Sequence, residues 1–527
     1  MLDLIFTSIR RPRLGWVLYA LLVGYAAINV PIARILSSPM TWTMMRAARG
    51  PLRDSITHYF TVPYFGAVAL ILTAGILLPV VLGRLKFQHA KIAGVAALAV
   101  VAIGPYAVTQ VDSAGMHRNA FGVLWPTHLG RTTSGDAGGW RISPFESAPA
   151  TDLSRFRGSA AGRNVILILL ESTAARYLKP YGAAEDPMPN LTRLASQSIV
   201  FDRAYAVYPE SIRELFATLC SQYPQFGTSP ETYAAGPAQS VTGLLHDAGY
   251  RTALFHSGRF MYLGMESVIQ NHGFDTLEDA GAIGGNVNSS FGVDEPAAVE
   301  RILSWIDALP SGQRFFVTYL PVAGHHPYAT PERGTFPDDS DENRYRNALE
   351  YGDQSLGALV AGLRKRKLDE KTLFVIFGDH GEAFGRHDGN FGHSLFIYDE
   401  NIRVPYIVAA PGLIQDTVRS RSTASVIDTA PTILDMLGMQ APSGFQGISL
   451  LDASPRMALF FTDYSLGLLG LYDSCWKYIL ETDSGRAKLF NVCQDPDELH
   501  DLSGEQVERE RAYRSKVQGW IAAQKGN

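Results

Sequence analysis

Four apolar, strand-like segments of this sequence each lead to side chains that can bind a metal ion or a phosphate group. The clearest is LFVIF, residues 373–377, which passes through Gly378 directly into a carboxylate and an imidazole. In an open α/β sheet, the crevice beyond the carboxyl ends of parallel strands is where ligands bind. We therefore predict one site built from the residues that follow the four segments: Glu171, His256, His325, Asp379 and His380. For any single member, a helix cap or an ordinary loop side chain is the alternative.

Ser211 precedes a segment with helical periodicity. Apolar residues recur at helical spacing between positions 212 and 220, which predicts an amphipathic helix that begins at the serine. The N-terminus of a helix favours an anion such as phosphate. Serine is also among the commonest N-cap residues, and the local pattern alone favours that simpler role.

The first part of the 527-residue chain contains three apolar runs without a charge, 14–30, 64–83 and 92–111. Each is close to the roughly 20 residues that a helix needs to cross a bilayer, and no A-x-A-like site suggests cleavage of the first as a signal peptide. Basic residues before the first run and between the second and third favour a cytoplasmic N-terminus, so the rest of the chain is predicted on the outer side. Residues 37–60 could lie in the headgroup region or form an ordinary loop.

Strand-like and helix-like stretches alternate after residue 164, which predicts an α/β fold with a largely parallel sheet. We expect a transmembrane domain at 1–112, a juxtamembrane linker at 113–163 and a catalytic domain at 164–527. The net charge of −5 gives no indication of nucleic-acid binding.

The three cysteines form no metal-type C-x-x-C pair. Cys475 and Cys493 flank a predicted hairpin that turns near Ser484, so folding brings them opposite each other. In an oxidising compartment they could form a disulfide, and two unrelated thiols are the alternative. Cys220 lies among apolar residues and is predicted to be a buried thiol.

From residue 164 to about 502 the sequence resembles the sulfatase and phosphotransferase branch of the alkaline phosphatase superfamily. The matching phrases follow the family's order: NVILILLES, PNLTRLASQSIVFDRAYA, HHPY, GDHGEAFGRHDGNFGHSLFIYDENIRVPYIVAAPG, VIDTAPTILDMLG, GISLL and LFNVCQDPDELHDL. The resemblance implies an alkaline-phosphatase-like α/β sandwich with a largely parallel central sheet and a small C-terminal β subdomain.

The resemblance also changes the interpretation of Ser211. In sulfatases the nucleophile position begins a Cys-x-Pro-Ser-Arg motif, whose cysteine becomes formylglycine, and a Tyr-Pro pair follows twelve residues later. Counting back twelve residues from Tyr223 reaches Ser211. The sequence that begins there, SIREL, has Arg213 and Leu215 where the motif has Pro and Arg. A serine or threonine nucleophile resembles the membrane-anchored phosphoglycerol and phosphoethanolamine transferases, which include the lipoteichoic acid synthase type.

The family's ligand positions map onto particular residues of this chain. The resemblance implies that one divalent metal ion is bound by four residues: Glu171, Ser211, Asp379 and His380. Mixed oxygen and nitrogen ligands suit Mn²⁺ or Zn²⁺, with Mg²⁺ as an alternative. His256 and His325 resemble phosphate-binding histidines, and His393 matches a position near the phosphate or a second metal. His387 is a weaker candidate, and a loop role is the alternative for it.

These assignments imply a multi-pass enzyme of the bacterial cell membrane with its catalytic domain on the periplasmic or outer side. It would move a phosphoglycerol or phosphoethanolamine headgroup from a phospholipid to a glycan or lipid acceptor, through a covalent intermediate on Ser211. A phosphodiesterase or sulfuric ester hydrolase of the same fold is the alternative. A third, non-enzymatic alternative is a membrane-bound scaffold protein with a degenerate site.

Overall fold

The computed structural model describes residues 12–36, 40, 61–82, 95, 98–99, 102–104, 106, 140–145, 150–226, 239–260, 265–286, 292–464 and 467–525. The helices are α1 (Pro12–Leu36), α2 (Val62–Leu82), α3 (Pro189–Ala195), α4 (Ser211–Cys220), α5 (Val241–Asp247), α6 (Met265–Ile269), α7 (Ala280–Ile283), α8 (Glu295–Asp307), α9 (Asp341–Lys365), α10 (Asp399–Ile402), α11 (Thr429–Met436) and α12 (Val507–Lys525).

Helices α1 and α2 contain the first two predicted membrane spans. Their stretches Leu14–Ile32 and Val62–Pro79 are long and apolar enough to cross a bilayer. The two helices contact each other, and the Tyr19 hydroxyl donates a hydrogen bond to the Gly75 carbonyl (2.7 Å). The third predicted span and the segment 37–60 lie largely or wholly outside the described residues, so the number of spans stays a prediction.

Within the described residues, the central sheet contains nine strands. The strands up to residue 425 are β1 (Asn164–Leu170), β2 (Ser198–Tyr205), β3 (Arg251–His256), β4 (Thr276–Glu278), β5 (Phe315–Leu320), β6 (Thr372–Gly378), β7 (Ala383–Phe384), β8 (Phe391–Gly392), β9 (Arg403–Val404), β10 (Tyr406–Ala409) and β11 (Val418–Ser425). The order in the sheet is β11-β2-β10-β6-β1-β5-β3-β4, with β9 beside β2, while β7 and β8 form a separate hairpin.

The sheet is mixed, although most of its strands point in one direction. Strand β10 is antiparallel to both β2 and β6, and β9 is antiparallel to β2. The other pairs are parallel, so every strand of the sheet except β9 and β10 runs the same way. The expectation of a largely parallel sheet holds with these two reversals.

Strand β1 shows why the sheet lies between two layers. All seven of its residues are buried, as expected for a strand covered on both faces. Val165, Leu167 and Leu169 pack into one apolar cluster, whereas Ile166 and Ile168 pack into another. Because side chains alternate across a strand, these two clusters lie on opposite faces of the sheet.

A small antiparallel sheet follows at the C-terminal end, as predicted. It contains β12 (Ala458–Thr462), β13 (Leu468–Asp473), β14 (Trp476–Glu481) and β15 (Ala487–Asn491), paired in that order. Strands β14 and β15 form the expected hairpin, and Cys475 and Cys493 form a disulfide with their Cα atoms 5.3 Å apart. Cys220 is a buried free thiol, as expected.

Part of the predicted linker packs against the domain that follows it. The Arg141 guanidinium donates two hydrogen bonds to the Asp428 carboxylate (2.9 and 3.0 Å), and both groups are buried. Leu153 and Phe156 are buried in the main apolar cluster. The described residues 140–145 and 150–163 therefore extend the packed unit ahead of the boundary predicted at 164.

Candidate active site

The ends of β1 and β6 bring the first two predicted ligands together. These neighbouring parallel strands are in register, with Leu170 opposite Gly378, so Glu171 and Asp379 follow at the same level. A Cβ atom at Gly378 would lie 2.2 Å from the Thr173 carbonyl oxygen, which explains the glycine before Asp379.

The turn after β1 holds both carboxylates. Ser172 adopts a left-handed backbone conformation (φ 52°), a strained geometry that clusters at functional sites. Its N–H donates to Asp379 Oδ1 (2.9 Å), and its hydroxyl donates to Glu171 Oε1 (3.0 Å). The His380 N–H donates to the same Asp379 oxygen (2.7 Å).

Ser211, which follows β2 in the chain, contacts this cluster. It is the first residue of α4, and its hydroxyl donates to Glu171 Oε2 (2.9 Å) and lies 3.2 Å from His380 Nε2. The N-cap position is Glu210, which makes no side-chain capping bond, so the cap role that local pattern favoured for Ser211 is wrong. The buried Glu214 carboxylate accepts N–H bonds from residues 207 and 208, which orders the loop before the serine.

Glu171, Asp379 and His380 form a group that fits a divalent cation. All three are buried, and one ligand atom from each lies within 4.8 Å of the others. The His380 Nδ1–H donates to the Gly381 carbonyl (3.0 Å), which leaves the Nε2 lone pair free to bind a metal. Burial raises the pKa of Asp379 to about 6, and burial together with the charge of Asp379 raises the pKa of Glu171. Two facing buried carboxylates beside a neutral imidazole are the arrangement that a cation stabilises.

His393 lies beside the cluster and is held by a residue that sequence reasoning missed. Its ring centroid is 4.1 Å from that of His380 and 6.3 Å from that of His325. Its Nδ1 is 2.8 Å from the Oε2 atom of Glu382, and the Tyr328 hydroxyl donates to the other oxygen of that carboxylate (2.6 Å). Burial opposes protonation of His393, but Glu382 raises its pKa to about 9. A signal existed in the sequence, since Glu382 stands in the phrase GDHGE.

His380, Glu382 and His393 form a second group whose ligand atoms lie within 4.8 Å of one another. The two groups share His380. Both roles predicted for His393, one near the phosphate and one near a second metal, therefore stay predictions.

His256 and His325 each have ring nitrogen Nδ1 bonded to a backbone carbonyl. The Nδ1–H of His256 donates to the Leu320 carbonyl (2.9 Å), and that of His325 donates to the His326 carbonyl (2.6 Å). Burial lowers the pKa of both histidines to about 4, and for His325 the charge of His393 adds to the effect. Both rings are therefore neutral hydrogen-bonding groups at neutral pH.

A second residue missed by sequence reasoning, Glu295, connects the two strand ends that carry these histidines. Its buried carboxylate accepts hydrogen bonds from the Ser257 hydroxyl (2.8 Å), the Tyr319 hydroxyl and the Val322 N–H (2.7 Å). Burial raises the pKa of Glu295 to about 7. No local pattern marks it, because it begins the distant helix α8.

His387 is a loop residue, which was the alternative considered for it. Its Nδ1 is 2.8 Å from Glu400 Oε1, and its ring stacks on Tyr398 with centroids 3.6 Å apart. Neither partner belongs to the group formed by Glu171, Ser211, Asp379 and His380, called here the Ser211 cluster.

Several curated proteins resemble this chain. Lipoteichoic acid synthase-like YvgJ and lipoteichoic acid synthase 2, both from Bacillus subtilis (strain 168), are 25% and 26% identical over 313 and 301 residues. The matches cover 56% and 54% of this chain and 50% and 46% of the two relatives. Arylsulfatase K from Bos taurus is 29% identical over 188 residues, which are 32% of this chain and 34% of that protein. The chain thus spans about half the length of the first two relatives and a third of the third.

Solved structures share the fold. The lipoteichoic acid synthase LtaP from Listeria monocytogenes matches with a TM-score of 0.57 and 18% identity, over 71% of this chain and 96% of that one. A protein in the alkaline phosphatase superfamily from Vibrio parahaemolyticus gives 0.58 and 19%, over 74% and 94%. At these identities the likeness shows the fold alone.

The family model described as Sulfatase matches residues 163–439, which is more than half of the chain and includes Glu171, Ser211, Asp379 and His380. The resemblance found in the sequence is confirmed, and the chain belongs to the sulfatase family.

Proposed function

We propose that this chain is a membrane-bound phosphotransferase that moves a phosphoglycerol or phosphoethanolamine headgroup from a phospholipid to a glycan or lipid acceptor. The observation that carries the proposal is the Ser211 hydroxyl, which lies 2.9 Å from Glu171 Oε2 and 3.2 Å from His380 Nε2 at the start of α4. Arg213 and Leu215 stand at the positions where the formylglycine motif has Pro and Arg. A plain hydroxyl held among metal-type ligands is suited to nucleophilic attack on phosphorus.

The reaction proceeds in two balanced steps. In the first, a bond forms between Ser211 Oγ and phosphorus while the bond between phosphorus and the diacylglycerol oxygen breaks. The serine proton leaves toward Glu171, which already accepts its hydrogen bond, and diacylglycerol takes up a proton as it departs. In the second step, an acceptor hydroxyl gives its proton to His393 and its oxygen bonds to phosphorus while the bond between phosphorus and Ser211 Oγ breaks, and Ser211 takes back its proton from Glu171, which restores the enzyme.

The residues of the site divide these tasks. Ser211, Glu171, Asp379 and His380 would hold a divalent cation, which when bound lowers the pKa of a coordinated hydroxyl and stabilises charge on phosphoryl oxygens. His256 and His325 have Nδ1 bonded to backbone carbonyls, so they would contact the headgroup through Nε2, which accepts a hydrogen bond from a hydroxyl while the ring is neutral and donates to a phosphate oxygen only once the ring is protonated. His393, oriented by Glu382, supplies positive charge and a proton for the leaving oxygen.

Two features support a lipid donor. Lipoteichoic acid synthase-like proteins are among the relatives, and α1 and α2 are long and apolar enough to anchor the domain at a membrane surface. A phospholipid headgroup at that surface would be within reach of a tethered domain. A reporter that is active only outside the cytoplasm, fused after Asn527, should be active, and a cytoplasmic signal would contradict this topology.

A hydrolase is the second candidate, favoured by the similarity to arylsulfatase K. The first step would be the same, but water would replace the acceptor alcohol. The two candidates differ in the fate of the headgroup, which hydrolysis releases to solution.

Intact-protein mass spectrometry after mixing the full chain with phosphatidylglycerol or phosphatidylethanolamine tests the common step. We expect a phosphodiester adduct on Ser211, more abundant in His325→Ala if that change slows the second step. Ser211→Ala should lose about 10³-fold or more in turnover, because it lacks the nucleophile. Full turnover by Ser211→Ala would refute the covalent scheme, and a radiolabelled headgroup found only in free form would favour the hydrolase.

A further inference from the structure

A cavity of about 500 Å³ lies beside β2 and β11 and shares no residue with the Ser211 cluster. This arginine pocket is lined by one acid and five basic side chains, namely Asp202, Arg203, Arg403, Arg419, Arg421 and Arg456. Five guanidinium groups against one carboxylate leave an excess of four positive charges. Like charges repel, so such a concentration calls for either internal partners or an external anion.

Two of the five arginines are committed to the fold. Arg419 Nε donates to the Asp202 carboxylate (2.8 Å), so these two charges cancel. Arg456 donates to the carbonyls of Ile448 (2.9 Å) and Asp452 (2.7 Å), and thereby holds the loop that precedes β12.

The other three arginines keep donor capacity. Arg403 Nη2 donates to the Asp202 carbonyl (3.1 Å), but its enclosed Nε has no hydrogen-bond partner among the described residues. Arg203 contacts the Cys493 sulfur at 3.9 Å, and sulfur is a weak acceptor. Asp399 lies within electrostatic range of both arginines, but its carboxylate is already paired with Lys477 (2.9 Å).

Arg421 reaches the pocket because β11 is irregular there. The pairing of β11 with β2 shifts register between Ser420 and Thr423, and such bulges redirect side chains and are frequent near functional sites. The Arg421 N–H donates to the Thr151 hydroxyl (3.2 Å), which anchors the bulge. Within the described part of the chain, the Arg421 guanidinium forms no hydrogen bond or ion pair.

We propose that the arginine pocket is a second binding site, for a phosphate group carried by a polyol, a sugar or a lipid headgroup. Planar guanidinium groups bind phosphate through paired N–H donors, and three of them suit a phosphate better than a singly charged carboxylate. The volume falls in the range of small-molecule sites and exceeds the needs of an inorganic anion. The hydroxyls of Ser422 and Ser454 line the remaining space and suit a polyol. The inference does not depend on the transfer reaction at Ser211.

Phenylglyoxal footprinting of the full chain tests this proposal, because it modifies accessible guanidinium groups that mass spectrometry then reads one by one. The protein is placed in phosphatidylcholine nanodiscs and titrated with glycerol 3-phosphate, inorganic phosphate or glycerol. We expect glycerol 3-phosphate to slow modification of Arg203, Arg403 and Arg421 at least threefold, while glycerol has no effect. Arg364, an exposed arginine paired with Asp369, is the internal reference and should not change.

Footprinting in nanodiscs of a second lipid and a comparison of two variants complete the test. Protection of the same arginines in phosphatidylglycerol nanodiscs without soluble ligand would identify a lipid headgroup, and protection only by glycerol 3-phosphate would identify a free phosphate ester. In Arg421→Gln the concentration of ligand that half-protects Arg403 should rise at least fivefold, whereas the control Arg364→Gln should leave it unchanged. Absence of protection in every arm, equal protection of Arg364, or an unchanged midpoint in Arg421→Gln would overturn the proposal.

Discussion

The contact between Glu382 and His393 offers the sharpest test of how the site works. The Glu382 side chain is 1% exposed, and its carboxylate lies 2.8 Å from His393 Nδ1. Glu382→Gln keeps the shape and one acceptor oxygen but removes the charge. Hydrogen bonds to charged groups contribute about 1.5–3 kcal/mol. If that contribution is realised in the transition state, kcat/KM should fall about 10-fold to 150-fold.

Tyr328→Phe is the matched control for this change. It removes the 2.6 Å hydrogen bond to the other oxygen of the same carboxylate but leaves the charge that faces His393. We therefore expect a loss of about fivefold, corresponding to roughly 1 kcal/mol for one hydrogen bond.

The assay is release of diacylglycerol from fluorescent phosphatidylglycerol or phosphatidylethanolamine by the purified full chain, followed across pH. Glu382 raises the pKa of His393, so without its charge the histidine loses its proton at a lower pH. The alkaline limb of the kcat/KM profile should therefore move to lower pH in Glu382→Gln but not in Tyr328→Phe. A Glu382→Gln enzyme with the kcat/KM and pH profile of the parent would refute this account of His393.

Three further predictions concern the cation, the disulfide and a buried acid. Asp379→Asn should lower both bound metal and activity, with partial rescue by excess Mn²⁺ or Zn²⁺; unchanged metal content by elemental analysis would argue against the proposed ligand set. Replacing Cys475 and Cys493 by serine should lower the free energy of unfolding by about 3 kcal/mol, the loop-closure value for a separation of 18 residues; an unchanged denaturation midpoint would contradict this. The pKa of Glu295 is about 4.5 in the unfolded chain and about 7 in the folded protein. Between these pH values the unfolded state binds fewer protons than the folded state, so the free energy of unfolding falls as pH rises. The stability of Glu295→Gln relative to the parent should accordingly rise from pH 5 to pH 8, by at most about 3 kcal/mol; a constant difference would show that Glu295 is ionised throughout.

The sequence alone determined the parts of this protein that depend on local patterns. The buried runs of β1 and β6 and the polar residues at their ends are visible in order, so the approach of Glu171 to Asp379 was predictable. The hairpin that joins Cys475 to Cys493 was visible for the same reason. The resemblance to sulfatases, through the twelve-residue spacing to Tyr223, marked Ser211 as the proposed nucleophile, whereas the local pattern alone favoured a helix cap.

Only the tertiary structure decided which distant groups meet. Glu382 accepts a hydrogen bond from Tyr328, 54 positions earlier in the chain, and contacts His393, 11 positions later, and no single helix or strand carries Glu382 together with either partner. The reversed direction of β10 follows from its pairing with β2 and β6, which no local pattern specifies. The charged side chains of the arginine pocket come from three strands and a loop, and each is unremarkable in its own segment. Its excess of positive charge exists only because folding places them around one cavity, since electrostatic interaction depends on distance in space and not along the chain.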